Sequence, residues 1–245
     1  MNQIIIMAAG KGTRMKSELT KVLVPLKGRP MLSYLLSTIA KIGPELKPIV
    51  VVSPENKDMI SAAMADYDVQ YVVQEQQLGT GHAVACTRSY IDPAASSIFV
   101  LNGDHPFYTE KTLKDLPLKH RGVLSMVTIA VPDFTGWHHN FYHLGRVVRD
   151  ENDNVSRIVE FRDASDDEKN VREINLNCFC FDKDWLFSHI ANINNNNNQG
   201  EYYITDLVKM AFNEGKIVKS FSIPPQEGMG INSLEELQIA ESLLD

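Results

Sequence analysis

Four short, nearly unbroken apolar runs punctuate the first hundred positions: IIIMAA (4–9), PIVVVS (48–53), VQYVVQ (69–74) and SSIFVLNGD (96–104). Between them apolar residues recur at helical spacing: Leu32, Leu35, Leu36 and Ile39, then Met59, Ile60, Ala63 and Met64, then Ala83, Val84 and Ala85 onward. A strand covered on both faces has no polar face to alternate with. Runs of this kind, separated by helices, predict a parallel α/β sheet over residues 1–120. Its connections are expected to be right-handed, with ligands beyond the carboxyl ends of the strands.

The rhythm changes after residue 122. GVLSMVTIAV, LGRVVRD, NVSRIVEF and EINLNCFCFD read as strands with fewer helices between them, a small antiparallel addition to the sheet. Asn and Asp residues at 150–154 mark a hairpin turn. Helices resume in GEYYITDLVKMAFNEG, with Gly215 as C-cap, and in NSLEELQIAESLL, where Ser233-x-x-Glu236 predicts a capping box. The low-complexity segment NINNNNN (192–198) reads as a mobile surface loop, with a substrate lid as the alternative.

Composition narrows the partners. A net charge of -7 over 245 residues argues against nucleic acid or an anionic membrane as the main partner, but a local cation cluster can still hold an anionic small molecule. Cys86, Cys178 and Cys180 are too few and too scattered for a disulfide framework. Alternation puts Cys178 and Cys180 on one face of a strand as buried thiols, a metal or redox site needing more ligands nearby. The N-terminal apolar run lacks a basic lead and is too short for a signal or a span, so the expected compartment is the cytoplasm.

Three places carry candidate chemistry. The first is the loop after the opening strand, which fits neither G-x-x-x-x-G-K-[ST] nor G-x-G-x-x-G. Gly10 and Gly12 remove side chains where backbone could approach a phosphate, and Arg14 and Lys21 add positive charge. A plain βα turn with solvated cations is the bland alternative. The second is LNGD: Asp104 ends a buried strand where a carboxylate beside phosphates invites Mg²⁺, unless it caps the helix after Pro106. The third is QEQQLGTGHAV, where Gly79, Thr80 and Gly81 enter a helix whose N–H groups could read a base or a phosphate. His82 within it reads as a structural or capping histidine rather than a catalytic base. No nucleophile–base pair has supporting spacing.

AAGKGTRM followed by Lys21, QLGTGHAV, NGD, GRVVRD, IVEFRDAS, EIN, QGEYYITD and GIN occur in this order along nearly the whole chain. Together they resemble the pyrophosphorylase domain of N-acetylglucosamine-1-phosphate uridylyltransferase, within the sugar-nucleotidyltransferase superfamily. The resemblance implies a Rossmann-like nucleotidyltransferase fold, a mixed and mostly parallel sheet with helices on both faces. One domain is expected over 1–245: a nucleotide-binding half (1–120), a sugar-binding half (121–230) and a C-terminal helix (231–245). Bacterial bifunctional members carry a left-handed β-helix acetyltransferase after this domain; with Asp245 in what resembles the linker helix, acetyl transfer is not expected.

The implied reaction joins a sugar 1-phosphate to a nucleoside triphosphate, UTP by the resemblance, and releases pyrophosphate by in-line attack on the α-phosphorus. By the family pattern Ala8, Ala9, Gly10, Gly12 and Thr13, through Arg14, would hold the nucleotide, with Arg14 on the departing phosphates. Lys21 would neutralise the α-phosphate. Gln74 and Gly79 would read the uracil edge with Thr80 nearby, and Asn102 and Gly103 would line the site beside Asp104. Asp104 and Asn232 would hold Mg²⁺. With Ser233 as N-cap, Asn232 lies just outside a helix, its amide oxygen available as a hard ligand. Gly145, Glu160 and Asn175 match positions that contact the amino sugar, with a solvent-facing strand carboxylate as the alternative for Glu160.

Four departures touch the substrate. Asn102 stands where the family has an aromatic residue, Thr20 where a proline precedes the lysine, and Leu176-Asn177 where Thr-Gly follows EIN. The segment TGWHHNFYHLGR is several residues longer than the family's turn. His138, His139 and His143 within it suggest an aromatic-rich loop over the sugar, or zinc. Two other functions are therefore weighed: a nucleotidyltransferase for another sugar or alcohol phosphate using UTP, CTP or dTTP, and a non-catalytic nucleotide-sugar sensor.

Overall fold

The computed structural model describes residues 1–10, 12, 15, 17 and 19–244. β1 (Asn2–Met7) shows why the first run is apolar throughout: Ile4 and Ile6 enter one core, Ile5 the core behind it, and all three are buried. The chain then forms a small ribbon, β2 (Pro25–Leu26) and β3 (Arg29–Pro30), turning at Lys27 (φ 47°) and Gly28 (φ 77°). It feeds α1 (Met31–Ile42), whose Leu32, Leu35, Leu36 and Ile39 are fully covered. Burying each of these contributes roughly 1.5–3 kcal/mol as an upper figure. β4 (Ile49–Val52), α2 (Lys57–Ala63), β5 (Gln70–Val73), α3 (Thr80–Ala85) and β6 (Ser97–Asn102) follow at the expected runs.

β1 is parallel to β4 on one side and to β6 on the other, with β5 beyond β4. The order reverses around β1, which opens a crevice at the carboxyl ends of these strands. α4 (Glu110–Lys119) starts at the cap Thr109, whose side chain accepts from the Thr112 N–H at 3.2 Å. Asp104 therefore does not cap this helix, and the capping alternative for it falls away.

The second half adds β7 (Leu124–Ala130), β8 (Arg146–Arg149), β9 (Val155–Val159), the short α5 (Asp166–Lys169) and β10 (Glu173–Asp182). α6 (Lys183–His189), α7 (Asp206–Asn213), β11 (Lys219–Ser222) and α8 (Leu234–Ser242) complete it. The path across the sheet is β11-β7-β10-β6-β1-β4-β5, with the β8–β9 hairpin off β10. β10 runs antiparallel between β6 and β7. Its two odd-looking cysteines lie in the core: Cys178 and Cys180 are buried, and burial pushes the Cys180 thiol up to about 12 and that of Cys178 higher still.

Three local readings change. The 200–205 stretch is not helical, and α7 begins only at Asp206. Gly215 (φ 70°) follows its cap and donates to the Phe212 carbonyl at 2.9 Å. At α8 Ser233 accepts from the Glu236 N–H at 3.2 Å, but the Glu236 carboxylate bonds the N–H of Asn232, one residue before the cap. The Asn-rich segment lies at the surface, as expected, where Asn198 donates to the Arg162 carbonyl at 2.7 Å and Asn197 to that of Glu201 at 2.6 Å.

Candidate active site

The crevice at the ends of β1, β5 and β6 is a cleft of about 620 Å³, large enough for a nucleotide. One wall is the loop after β1: Ala8, Ala9, Gly10 and Gly12. Ala8 is anchored by its N–H on the Val51 carbonyl (2.8 Å), and its own carbonyl accepts from Asn56 Nδ2 (3.0 Å). The Ala9 carbonyl accepts from Gln77 Nε2 at 2.9 Å. Gly10 faces open space, whereas Gly12 (φ 60°) has Lys21 pressed against it: a Cβ there would stand 2.5 Å from Lys21 Cβ. Gly12 is thus glycine for the lysine's sake as well as for its backbone angle. Thr13 and Arg14 lie outside the described residues.

Thr20 has φ -58° and ψ 143°, a φ that proline would fix, so threonine here leads to Lys21 along a backbone that a proline could also adopt. Its hydroxyl accepts from Asn56 Nδ2 at 3.2 Å, tying the two segments beneath the cleft.

Across the floor, Lys21 Nζ donates to Asp104 Oδ2 and to Asn232 Oδ1, the latter at 2.8 Å. Residues 83 and 211 positions from Lys21 thus meet at one ammonium. The Ile231 N–H bonds the Asp104 carbonyl at 3.0 Å, fixing the two halves to each other. Burial pushes the Asp104 carboxyl up, but the Lys21 charge and hydrogen bond, with His105 beside it, more than offset this, so it sits below the ordinary carboxylate range. Asp104 and Asn232 also fit a magnesium ion: two hard oxygens, one charged, converge on a single cation position in an open cleft. Among the described residues no three His, Cys, Asp or Glu side chains come together to hold a metal, the His138, His139 and His143 segment included.

His105, which the sequence did not single out, lines the same floor. Its Nε2 is 3.7 Å from Asp104 Oδ1, and its ring packs under Gly230, where a Cβ would come within 2.6 Å of Nε2. Burial lowers its pKa, with Lys21 adding to that and Asp104 opposing it.

The wall beyond β5 holds Gln74, Gly79 and Thr80. Gly79 has φ 112°, and a Cβ there would lie 2.7 Å from the Tyr202 carbonyl oxygen, so only glycine lets this turn dock on the 202 segment. The Thr80 hydroxyl accepts from the Ile204 N–H at 3.0 Å, which makes it part of that docking. Asn102 lines the cleft, while Gly103 serves packing, donating to the Met7 carbonyl at 2.9 Å.

The predicted sugar residues form a neighbouring group. The Asn175 N–H bonds the Gly145 carbonyl at 2.9 Å, and a Cβ on Gly145 would meet both Glu160 oxygens at 3.4 Å. Leu144, next to Gly145, and Asn177, two positions after Asn175, line the cleft itself. Asn177 adopts φ 51° within a bulge of β10, taking the family's glycine position as one of the few residues that tolerate it. The lengthened loop before β8 is a 3-10 turn (Gly136–Phe141), and the fully buried Arg146 orders the segment around it. Arg146 donates to the carbonyls of Tyr142, Leu144 and Lys169, and its guanidinium lies over Phe134, Tyr142 and Phe161.

Glu160 is not a solvated strand carboxylate. Burial pushes it up to about 7, Thr205 Oγ1 opposing through a 3.1 Å hydrogen bond and Asp163, Asp206 and Glu201 adding like charge. The folded chain therefore holds a proton here that the unfolded chain, with a value near 4.5, gives up. This stabilisation is complete below about 4.5 and is lost as pH rises to about 7. Thermal unfolding of Glu160→Gln is accordingly expected to gain on the wild type between pH 5 and pH 8; parallel midpoints across that range would contradict it.

The model of the MobA-like NTP transferase domain family matches residues 4–164. The bifunctional protein GlmU of Brevibacillus brevis is 38% identical over 244 residues, covering 98% of this chain and 51% of its own. That of Enterococcus faecalis is 39% identical with the same coverage, and that of Desulfotalea psychrophila is 37% identical, covering 98% and 70%. The chain thus spans about half the length of the first two relatives. Among solved structures, 4-diphosphocytidyl-2C-methyl-D-erythritol synthase of Anaerococcus prevotii superposes with a TM-score of 0.70 over 100% of this chain and 96% of its own, at 17% identity. That likeness is one of fold. Among the described residues no helix is long and apolar enough to cross a membrane.

Proposed function

The chain belongs to the MobA-like NTP transferase family, and from that premise we propose that it is a cytoplasmic sugar-1-phosphate nucleotidyltransferase, converting UTP and N-acetylglucosamine 1-phosphate to UDP-N-acetylglucosamine and pyrophosphate. The observation that carries this reading is the meeting of Lys21, Asp104 and Asn232 on the floor of a cleft walled by a glycine loop and by Gln74. An oxygen of the sugar's phosphate forms a bond to the α-phosphorus as the bond from that phosphorus to the α–β bridging oxygen breaks, and pyrophosphate leaves with that oxygen.

No residue needs to become covalently attached. The protein's part is to align the two phosphates and to balance their charge. The backbone of Ala8, Ala9, Gly10 and Gly12 gives the triphosphate room, and Lys21 sets an ammonium beside the reacting phosphorus. Asp104 and Asn232 would hold Mg²⁺, which supplies further charge neutralisation when bound. Arg14 would meet the departing phosphates. Gly145, Glu160 and Asn175 stand next to the cleft-lining Leu144 and Asn177, where the acceptor's sugar would lie.

A second reading keeps the reaction and changes the acceptor. It is favoured by Asn177, which adds a side chain to the cleft, and by the aromatic segment built on Arg146. Pyrophosphate release measured for four nucleoside triphosphates against a set of sugar and alcohol phosphates separates the two. The first predicts the highest rate with UTP and N-acetylglucosamine 1-phosphate. A higher rate with another acceptor replaces it with the second, and ligand binding without turnover supports a sensor.

A further inference from the structure

We propose that His82 is a positioning residue for nucleobase selection: it fixes the side-chain amide of Gln74 so that a base meets the amide's oxygen and not its NH₂. The inference rests on the nucleotidyltransferase reading above. Gln74 directly follows β5, is 3% exposed and lines the cleft. Its Nε2 lies 3.1 Å from the Gly79 carbonyl oxygen and 3.0 Å from His82 Nδ1. A carbonyl oxygen can only accept, so the amide atom facing Gly79 is the nitrogen. The second hydrogen of that NH₂ is then directed at His82 Nδ1, which must present a lone pair and leave the ring proton on Nε2.

Both donors of the amide are thereby spent inside the protein, and Oε1 is the atom left for a ligand. Rotating the amide would set its oxygen against the Gly79 carbonyl, and would keep the His82 contact only if the imidazole moved its proton to Nδ1. The scaffold beneath is fixed in turn. The Gly79 carbonyl also accepts from Ala83 N at 3.1 Å, and Cys86 Sγ, at the end of α3, packs on the ring at 3.9 Å from Nδ1 and 3.8 Å from Nε2, favouring neither nitrogen.

The consequence is chemical. Uracil and thymine carry an N3–H that an oxygen can accept; cytosine carries a lone pair at the same place. A locked Oε1 therefore favours an imide base, and cytosine could pair with it only by shifting until its amino group meets the oxygen. With His82 gone, Gly79 alone restrains the amide, and the flipped form that donates to cytosine N3 becomes accessible. The Gly79 carbonyl sets the direction of this preference, and His82 strengthens it.

The test compares wild type, His82→Leu and His82→Asn, whose Oδ1 can replace Nδ1 as acceptor, by pyrophosphate release from UTP and from CTP at saturating sugar phosphate. In His82→Leu the UTP-over-CTP ratio of kcat/KM is expected to fall about tenfold, mainly through KM for UTP, the size of one neutral hydrogen bond. His82→Asn is expected to stay within about twofold of the wild-type ratio. Equal losses on both nucleotides, with the ratio intact, would mark His82 as merely structural and overturn the proposal. Nitrogen-15 NMR of the wild-type imidazoles decides independently of any variant's folding: the Nε2–H form of His82 supports the proposal, and the Nδ1–H form overturns it. Should the wild type turn over no nucleotide, the functional reading fails separately, and calorimetric binding of UTP and CTP to the same three proteins still decides on His82.

Discussion

Asp104→Asn is expected to lower pyrophosphate release by about 10²–10³-fold while leaving the thermal unfolding midpoint within a few degrees of the wild type, effects of the size seen when one electrostatic contact to a transition state is removed. Asparagine keeps the shape of the side chain and its hydrogen bond to Lys21, so the floor of the cleft need not rearrange. What disappears is the charge. In the native chain that charge is held against burial by the Lys21 ammonium, and beside Asn232 it provides the charged half of a two-oxygen cation position. An amide oxygen still ligates, but without the negative charge that draws a divalent cation from water. Raising Mg²⁺ should recover only a small part of the rate. A variant with the wild-type rate would remove Asp104 from the mechanism, and one with a collapsed midpoint would show that the residue matters for folding first.

The first half of the fold was legible because its strands are buried on both faces, which turns sheet position directly into an apolar run. Ile4, Ile5 and Ile6 are apolar since no one of them faces water. The partners of the later strands were not legible. β10 lies between β6 and β7, with Phe179 opposite Val100 on one side and Met126 on the other; the sequence shows a strand there but nothing of its neighbours. β11, KSFS, is too short and too polar to announce itself.

The site divides in the same way. Local spacing made the glycine loop and the end of β6 suspicious, yet the union of Lys21, Asp104 and Asn232 came from family resemblance, since contacts so distant along the chain leave no periodic trace. Residues whose role depends on what the fold sets beside them were missed or misread. His105 becomes part of the floor only because Gly230 lets its ring lie there. Asn56 looks like an ordinary loop asparagine until it is seen holding Ala8 and Thr20 together. His82 reads as a structural or capping histidine, and the fold shows what the sequence does not, that its partner is the Gln74 amide eight positions earlier.

Lys21→Ala is expected to cost about as much as the loss of Asp104, about 10²–10³-fold, and the loss should fall on kcat and not on KM for the nucleotide. The reason lies in what the ammonium touches. It already has two oxygen partners on the protein, one of them a carboxylate, so exchanging these for a ground-state phosphate gains little. In the proposed reaction, charge accumulates on the oxygens around the α-phosphorus as the bridge to pyrophosphate breaks, and there a fixed cation becomes worth more than in the ground state. Arginine should not rescue. The lysine stem lies against Gly12, closely enough that even a Cβ on the glycine would clash at 2.5 Å, and a planar guanidinium fork cannot occupy a socket shaped for one rotating ammonium. Steady-state kinetics of Lys21→Ala and Lys21→Arg with UTP and N-acetylglucosamine 1-phosphate check both parts. If the deficit lay in KM alone, with kcat preserved, Lys21 would be a nucleotide anchor only, and the charge balance at the reacting phosphorus would have to be sought in Arg14 and the metal position.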